Sequence, residues 1–243
     1  MSGTNVVSWQ EKLAGLAKAG VAQEAHTGGG TFIGTRAGQL TYQGNAVAGN
    51  KLDVIVVDSI MENAYYVGRF DAENPSPPVC FAFGRDEKTM VPHADSSEPQ
   101  HSDCAGCPNN VFGSADAGGG KACKNIRRLA LIPATPLDPD SVKTAEVAYL
   151  KLPVTSVKNW AQYVKTLDAL SQVPPLAVVT QIGTVPDAKS QFKITFNQQI
   201  QLGEEIVSPI LDRLEQITKD IEFPYTPQAA QDSKATPAKG KKY

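Results

Sequence analysis

The stretch LDVIVVDSI at residues 52–60 decides the fold of this chain. It is rich in β-branched residues and has apolar side chains on both faces, which is typical of a central strand covered on both sides. Short strand-like runs at 31–34 and 39–42 precede it, and residues 64–70 can continue the sheet beyond it. The stretch therefore predicts a β-sheet at the centre of the molecule.

Regular patterns resume after residue 126. The predicted elements are strands at 127–134 and 146–154, a helix at 156–171, strands at 176–185 and 191–198, and a helix at 204–221. A helix between the third and fourth strands of a five-stranded barrel is the layout of the OB fold. The order predicts a mainly β protein of the α+β class, namely an OB-fold-like β-barrel with an inserted metal-binding loop and a C-terminal helix. A generic α+β sheet is the alternative.

The predicted organisation has three parts. They are an N-terminal helix and glycine linker at 1–30, an OB-like core at 31–222 with 71–126 as an inserted zinc-loop subdomain, and a disordered tail at 223–243. The insertion is rich in proline and glycine and lacks the periodicity needed for a core of its own. A loop of this length is unusual in a compact domain unless it is functional or stapled.

Charge and composition restrict the class of protein. The 243 residues carry a formal net charge of -2, which argues against a globally basic nucleic-acid binder but allows a local basic groove. No segment approaches the ~18 apolar residues of a membrane span, and the N-terminus lacks the pattern of a signal peptide. We therefore expect a protein of a reducing compartment, without a membrane partner. In such a compartment clustered cysteines indicate metal or redox chemistry more often than disulfides.

All four cysteines lie within the insertion. They are Cys80, Cys104, Cys107 and Cys123. Cys104 and Cys107 form a CxxC knuckle that can hold one metal ion from a tight turn, and two further thiolates would complete a tetrahedral zinc site. Three cysteines with His101 in place of Cys80 are the main alternative ligand set, and His93 is a further candidate. An iron–sulfur cluster also uses four cysteines and is the less favoured cofactor.

Basic and aromatic residues surround the cysteines in the sequence. Proteins that bind single-stranded nucleic acid use cations to track phosphates and aromatic rings to stack on bases. The candidate nucleic-acid-binding residues are Tyr66, Arg69, Arg127, Arg128, Tyr149, Lys151 and Lys193. The alternative for any one of them is an ordinary core or solvated side chain.

Patterns that indicate catalysis are scarce. The chain contains no P-loop, GxSxG or HExxH motif. Asp53, Asp58 and Glu62 are candidates for a two-metal nuclease, although this interpretation is disfavoured. The CxxC lies in a proline- and glycine-rich loop and not at the start of a helix, which disfavours a thioredoxin-like redox site. The sequence predicts a protein that is not an enzyme.

Several short motifs carry a resemblance to a known group of proteins. They are PPVC at 77–80, CAGCPNN at 104–110, GKAC at 120–123 and RRLA at 127–130, with ENAYY at 62–66. Through them the chain resembles a group of tailed-phage proteins, some of which are single-stranded-DNA-binding proteins. The basic end KGKKY at 239–243 departs from the acidic tail that often recruits replication partners in this class, so recruitment through such a tail is not expected.

The resemblance implies an OB-type protein with a zinc element in the cytoplasm of an infected bacterial host. Its ligand would be single-stranded DNA, which it would protect or organise in phage replication or recombination, and phage replication proteins are candidate partners. The alternative function is a zinc-stabilised protein-interaction module of a phage replication or transcription complex.

Overall fold

The computed structural model describes residues 31–68, 76–116 and 118–225. The predicted N-terminal helix and linker, Arg69, and the predicted tail from residue 226 onward lie outside the described residues. Within the described ranges, no helix is long and apolar enough to cross a membrane.

The protein has a mixed α+β structure that consists mostly of sheet, which confirms the predicted class. The strands are β1 (Thr31–Phe32), β2 (Thr41–Tyr42), β3 (Asn45–Ala46), β4 (Lys51–Tyr65), β5 (Cys80–Gly84), β6 (Lys124–Pro133), β7 (Ala148–Leu152), β8 (Val178–Asp187) and β9 (Gln191–Gln201). The helices are α1 (Pro139–Thr144), α2 (Val154–Ser171) and α3 (Glu204–Asp220).

Seven strands form one sheet with β4 at its centre. The hydrogen-bonded order is β1-β7-β6-β4-β8-β9, and β5 pairs with the end of β4. The ladders are antiparallel except for the short parallel pair of β1 and β7. Among the described residues no ladder joins β9 back to β7, so the hydrogen-bonded path stays open at that point.

Both faces of the sheet are covered, as the apolar run at 52–60 predicts. On the inner face Val54 and Leu150 belong to a core with Trp160 and Leu167 of α2. On the outer face Ile55, Val57 and Ile132 belong to a second core with Ile206, Ile210 and Ile217 of α3. Because side chains alternate along a strand, neighbouring residues of β4 and β6 enter different cores.

The insertion is anchored in the sheet at both ends, which differs from the predicted unpaired loop at 71–126. Residues 80–84 form β5, which pairs with residues 61–65 of β4. Directly after Cys123, β6 begins at Lys124, which lies opposite Ala64. A short apolar run of this length is compatible with a buried strand or with a buried helix segment, so only the tertiary pairing identifies β5.

The ordered chain extends past the predicted boundary at residue 222. Ile221 is fully buried. The Phe223 ring packs edge-on against Tyr149 at 4.8 Å between centroids, and the Tyr225 ring packs against Phe81 at 5.1 Å. Residues 221–225, which we call the strap, therefore cover part of the outer face, and the predicted tail does not begin at residue 223.

Candidate metal centre and nucleic-acid interface

The four cysteines line one pocket. Cys80 opens β5, Cys104 and Cys107 form the knuckle, and Cys123 precedes β6. None is in a disulfide; Cys80 is half-buried and the others are buried. In the parts of the chain that the structure describes, no three Cys, His, Asp or Glu side chains already form a metal-binding group. The pocket thus gathers the predicted ligands without the finished geometry of a metal centre.

Local hydrogen bonds hold the knuckle in a tight turn. The Gly106 N–H donates to Asp103 Oδ1 at 2.6 Å, and the same bond is the main reason that the pKa of Asp103 is lowered. Asn110 Nδ2 donates to the carbonyl oxygen of Cys104 at 2.7 Å. A side chain at position 106 would place its Cβ only 3.1 Å from Asp103 Oδ1 and from the His101 ring. The turn therefore favours glycine between the two cysteines.

The cysteines of the pocket affect one another's pKa. Burial raises the pKa of Cys123 to about 12, and the other three cysteines contribute to the increase. Burial also raises the pKa of Cys104, with further contributions from Cys80 and Cys107. Four neighbouring thiolates would repel one another, and a bound cation is the usual way in which proteins remove that repulsion.

A buried amide group is aimed at the cysteines. Asn63 Oδ1 accepts a hydrogen bond from Asn125 Nδ2 at 2.6 Å. Asn63 Nδ2 is buried and has no conventional hydrogen-bond partner among the described residues, yet as a donor it lowers the pKa of Cys104. A buried donor without a partner costs about 1–3 kcal/mol, and a thiolate at Cys104 would remove that cost. This buried donor therefore faces the cysteine set that the sequence predicts as ligands.

Of the three candidates for the fourth ligand position, Cys80 and His101 line the pocket, whereas His93 does not. His101 lines the same pocket, but its Nδ1 lies 3.1 Å from the carbonyl oxygen of Asp103 and 3.3 Å from that residue's carboxylate. The His93 ring stacks on Phe81 at 5.0 Å between centroids. Cys80, by contrast, raises the pKa of Cys104 and of Cys123.

Four of the seven predicted nucleic-acid-binding residues meet at one end of the outer face. They are Tyr66, Arg128, Tyr149 and Lys151. In the ladder of β6 and β7, Arg128 lies opposite Lys151 and Ala130 opposite Tyr149. Burial raises the pKa of Tyr66, and Tyr225, Glu62 and Arg128 are near enough to affect it.

Arg128 is an interior residue and not a free phosphate ligand, which corrects the expectation from sequence. Its side chain is fully buried, and its Nε donates to Glu62 Oε2 at 2.7 Å. Its Nη1 donates to the carbonyl oxygens of Ile221 and Phe223 at 3.0 and 2.8 Å. The guanidinium lies 4.1 Å from the Phe223 ring centroid. The guanidinium is thus enclosed between the strap and the outer face of the sheet.

Tyr149 is also a core residue, because it is 6% exposed and lies beneath Phe223. Tyr66 and Lys151 stay at the rim of the face. Tyr66 is 39% exposed, and Lys151 Nζ lies 3.9 Å from the Tyr225 ring centroid and 3.7 Å from Glu62 Oε1. Burial lowers the pKa of Lys151, while Glu62 opposes this change.

The other candidates lie apart from this face. Arg127 points to the opposite face of β6; it has no ion pair among the described residues, and its buried Nε has no partner there. Lys193 is paired with Asp187 at 2.6 Å on the hairpin of β8 and β9. Arg69 lies outside the described residues.

The three nuclease candidates are each engaged separately. Asp58 pairs with Arg85 at 2.6 Å, Asp53 accepts a hydrogen bond from Gln181 at 3.1 Å, and Glu62 is paired with Arg128.

Sequence reasoning missed the strap and the partners of Glu62. The Tyr225 hydroxyl donates to Glu62 Oε1, so this buried carboxylate contacts a tyrosine, an arginine and a lysine. Glu62 is one of three carboxylates in β4, with Asp53 and Asp58, so the sequence carries no local signal that this one has buried partners. Phe223 and Tyr225 flank a proline after a helix, a pattern that carries no signal for docking.

Comparisons with protein-family models, curated proteins and solved structures give no match to this chain.

Proposed function

We propose that the protein binds single-stranded DNA through an OB-like β-core and that the four cysteines hold a structural zinc ion. The strand order is the observation that supports this most. The chain forms β4, β6 and β7, then α2, then β8 and β9, and in the sheet β7-β6-β4-β8-β9 are neighbours. An antiparallel five-strand core with a helix after its third strand agrees with the partly open Greek-key barrel of the OB fold.

This correspondence gives the candidate residues a shared place. OB folds bind oligonucleotides on the face of their second and third strands, between the loops that join strands one to two and four to five. Here the second and third strands are β6 and β7, and the first of the two loops is the cysteine insertion. Tyr66 and Lys151 lie at that end of the sheet, on its outer face.

The half-exposed rim is the proposed contact surface, because Arg128 and Tyr149 are buried beneath the strap. Lys151 and the exposed Lys124 would contact phosphates, and the Tyr66 ring would stack on a base. Arg128 would act indirectly by holding Glu62 and the strap in place. Contacts of this kind do not depend on base sequence, as expected for a protein that coats single strands.

The proposed zinc would be held by Cys80, Cys104, Cys107 and Cys123. A site closed by four thiolates supplies structure and leaves no open position for catalysis. The described apolar cluster of the insertion is small, since it consists of Ala82, Met90 and Cys104 packed with Met61. A metal would therefore supply much of the stability of the loop that borders the DNA site.

A salt titration of fluorescent oligo-dT binding, with zinc measured on the same sample, tests the proposal. We expect near-stoichiometric zinc and an affinity that falls linearly on a log–log plot, with a slope of about −0.7 per phosphate contacted. Lys151→Ala should weaken binding and reduce the slope, whereas Lys193→Ala, at the paired hairpin lysine, should change neither.

Absence of binding at low salt would overturn the DNA proposal. If such a protein still contained zinc, the interaction-module alternative would become the better explanation. A brown preparation with thiolate-to-iron absorption would show that the cofactor is an iron–sulfur cluster and not zinc.

A further inference from the structure

The tip of the insertion carries the most exposed aromatic side chain among the described residues. Phe112 is 79% exposed and its neighbour Val111 is 55% exposed, whereas Tyr66 and Phe32 are each 39% exposed. A large apolar side chain in this position contributes nothing to the core. Exposed apolar side chains are ordinary on protein surfaces, so what distinguishes the tip is the structured turn and the two lysines that accompany the ring.

The loop that presents Phe112 is ordered by its own hydrogen bonds. The Gly113 N–H donates to the carbonyl oxygen of Gly120 at 3.0 Å, and Ser114 Oγ donates to that of Val111 at 2.6 Å. Ser114 Oγ also accepts from the Ala122 N–H at 2.9 Å. Gly113 has a φ of 89°, which side chains other than glycine rarely adopt. The ring is thus held out on a structured turn, so that little ordering entropy would be lost on binding.

Two lysines accompany the ring. Lys121 Nζ lies 5.3 Å from the Phe112 ring centroid. Lys124 Nζ donates to the carbonyl oxygen of Lys121 at 3.0 Å, and Lys124 lies opposite Ala64 in the ladder, two residues before Tyr66. Phe112, the two lysines and Tyr66 therefore belong to one end of the sheet. The exposed Asp116 lies on the same loop. Lys121, Lys124 and Asp116 together still carry a net positive charge.

We propose that Phe112 is a base-stacking finger that extends the single-stranded-DNA surface beyond Tyr66, with Lys121 and Lys124 on the adjoining phosphates. This inference rests on the proposed function. A ring flanked by cations matches the needs of a single strand, in which each base offers a π-face and each linkage a negative charge. A protein partner would instead require a larger apolar patch in which the aromatic anchor becomes buried.

The test compares Phe112→Ala with the wild-type protein in oligo-dT binding at fixed salt. Loss of one stacked base predicts an affinity lower by roughly 5- to 150-fold. The salt slope should stay unchanged because no charge is removed. Phe112→Trp should retain the affinity and add a tryptophan emission that the oligonucleotide quenches. Lys121→Ala should instead reduce the slope by about the value of one phosphate contact.

Val111→Ala is the matched control, since it shortens an exposed apolar neighbour and should leave the affinity unchanged. Because Phe112 and Val111 are exposed, thermal unfolding and zinc content should equal those of the wild type in Phe112→Ala, Phe112→Trp and Val111→Ala. If the wild-type protein binds oligo-dT and Phe112→Ala binds it with the same affinity, the stacking role of Phe112 is wrong and the proposed function is unaffected. A loss that Phe112→Trp does not restore would exclude stacking, and a wild-type protein that fails to bind would overturn both.

Discussion

Arg127 and Arg128 are adjacent in sequence and differ in almost every physical respect. Arg128 is enclosed by Glu62 and strap carbonyls, whereas Arg127 has no ion pair in the described part of the chain. Arg128→Ala should lower the free energy of unfolding by about 3 kcal/mol, because a buried carboxylate loses its main partner. Arg127→Ala should cost under about 1 kcal/mol, because it breaks no ion pair in the described part of the chain and removes a buried Nε that has no partner there. Denaturant unfolding of both variants measures the difference.

A volume-matched apolar pair provides the control for this buried ion pair. Glu62→Leu combined with Arg128→Met removes both charges together, so it should recover much of the stability that Arg128→Ala loses. Equal destabilisation by Arg127→Ala and Arg128→Ala would contradict the assignment of Arg128 to the interior.

At the scale of elements, the insertion depends on the ladder of β4 and β5 and on the cysteine pocket. Its own described apolar cluster is small, and structural zinc sites contribute directly to folding. Cys80→Ser should therefore lower both zinc content and thermal stability, while His101→Ala should preserve both. Elemental analysis and thermal unfolding of the two variants distinguish the four-cysteine set from the set that contains His101.

Hydrogen exchange after chelation locates the effect of the metal. Amides between residues 80 and 123 should lose protection, whereas the β8–β9 ladder should keep it, because β8 pairs with residues 51–54 of β4, at the opposite end of that strand from residues 61–65, which pair with β5. A uniform loss across the sheet would show that the insertion is not a separately stapled element.

At the scale of the whole molecule, burial of tyrosines links stability to alkaline pH. The chain has seven tyrosines. Burial raises the pKa of Tyr42, Tyr66, Tyr149, Tyr163 and Tyr225. Above the unfolded pKa of about 10, the unfolded chain loses these protons while the folded chain keeps them. Stability from these groups is therefore complete below about pH 10 and declines as the pH rises further.

The absorbance of tyrosinate, followed together with unfolding, checks this dependence. The buried Tyr149 and Tyr163 should ionise only as the molecule unfolds, whereas all seven tyrosines should titrate near pH 10 in denaturant. Gradual ionisation of all seven in a folded protein would contradict the burial of Tyr149 and Tyr225.

Local sequence predicted much of the framework. The β-branched run at 52–60 lies in the central strand β4, the predicted helix at 156–171 is observed as Val154–Ser171, and that at 204–221 as Glu204–Asp220. The four cysteines also share a pocket, as their spacing suggested. The strand and helices follow from periodicity, and the knuckle of Cys104 and Cys107 follows from the short reach of a CxxC turn. Cys80 and Cys123 reach the same pocket through the pairing of β5 and β6 with β4.

The identity of the accessible residues depended on the tertiary structure. The outer face of β6 and β7 is covered by α3 and the strap. Arg128 and Tyr149 on that face are therefore buried, whereas Lys151 and Tyr66 lie at its rim. The contacts that decide this join residues 66 and 95 positions apart, as in Arg128 with Glu62 and with Phe223. Local sequence specified the classes of the elements and the knuckle of Cys104 and Cys107. Only the fold decided which cations and rings face solvent, because long-range packing and not local pattern covers one face of a strand.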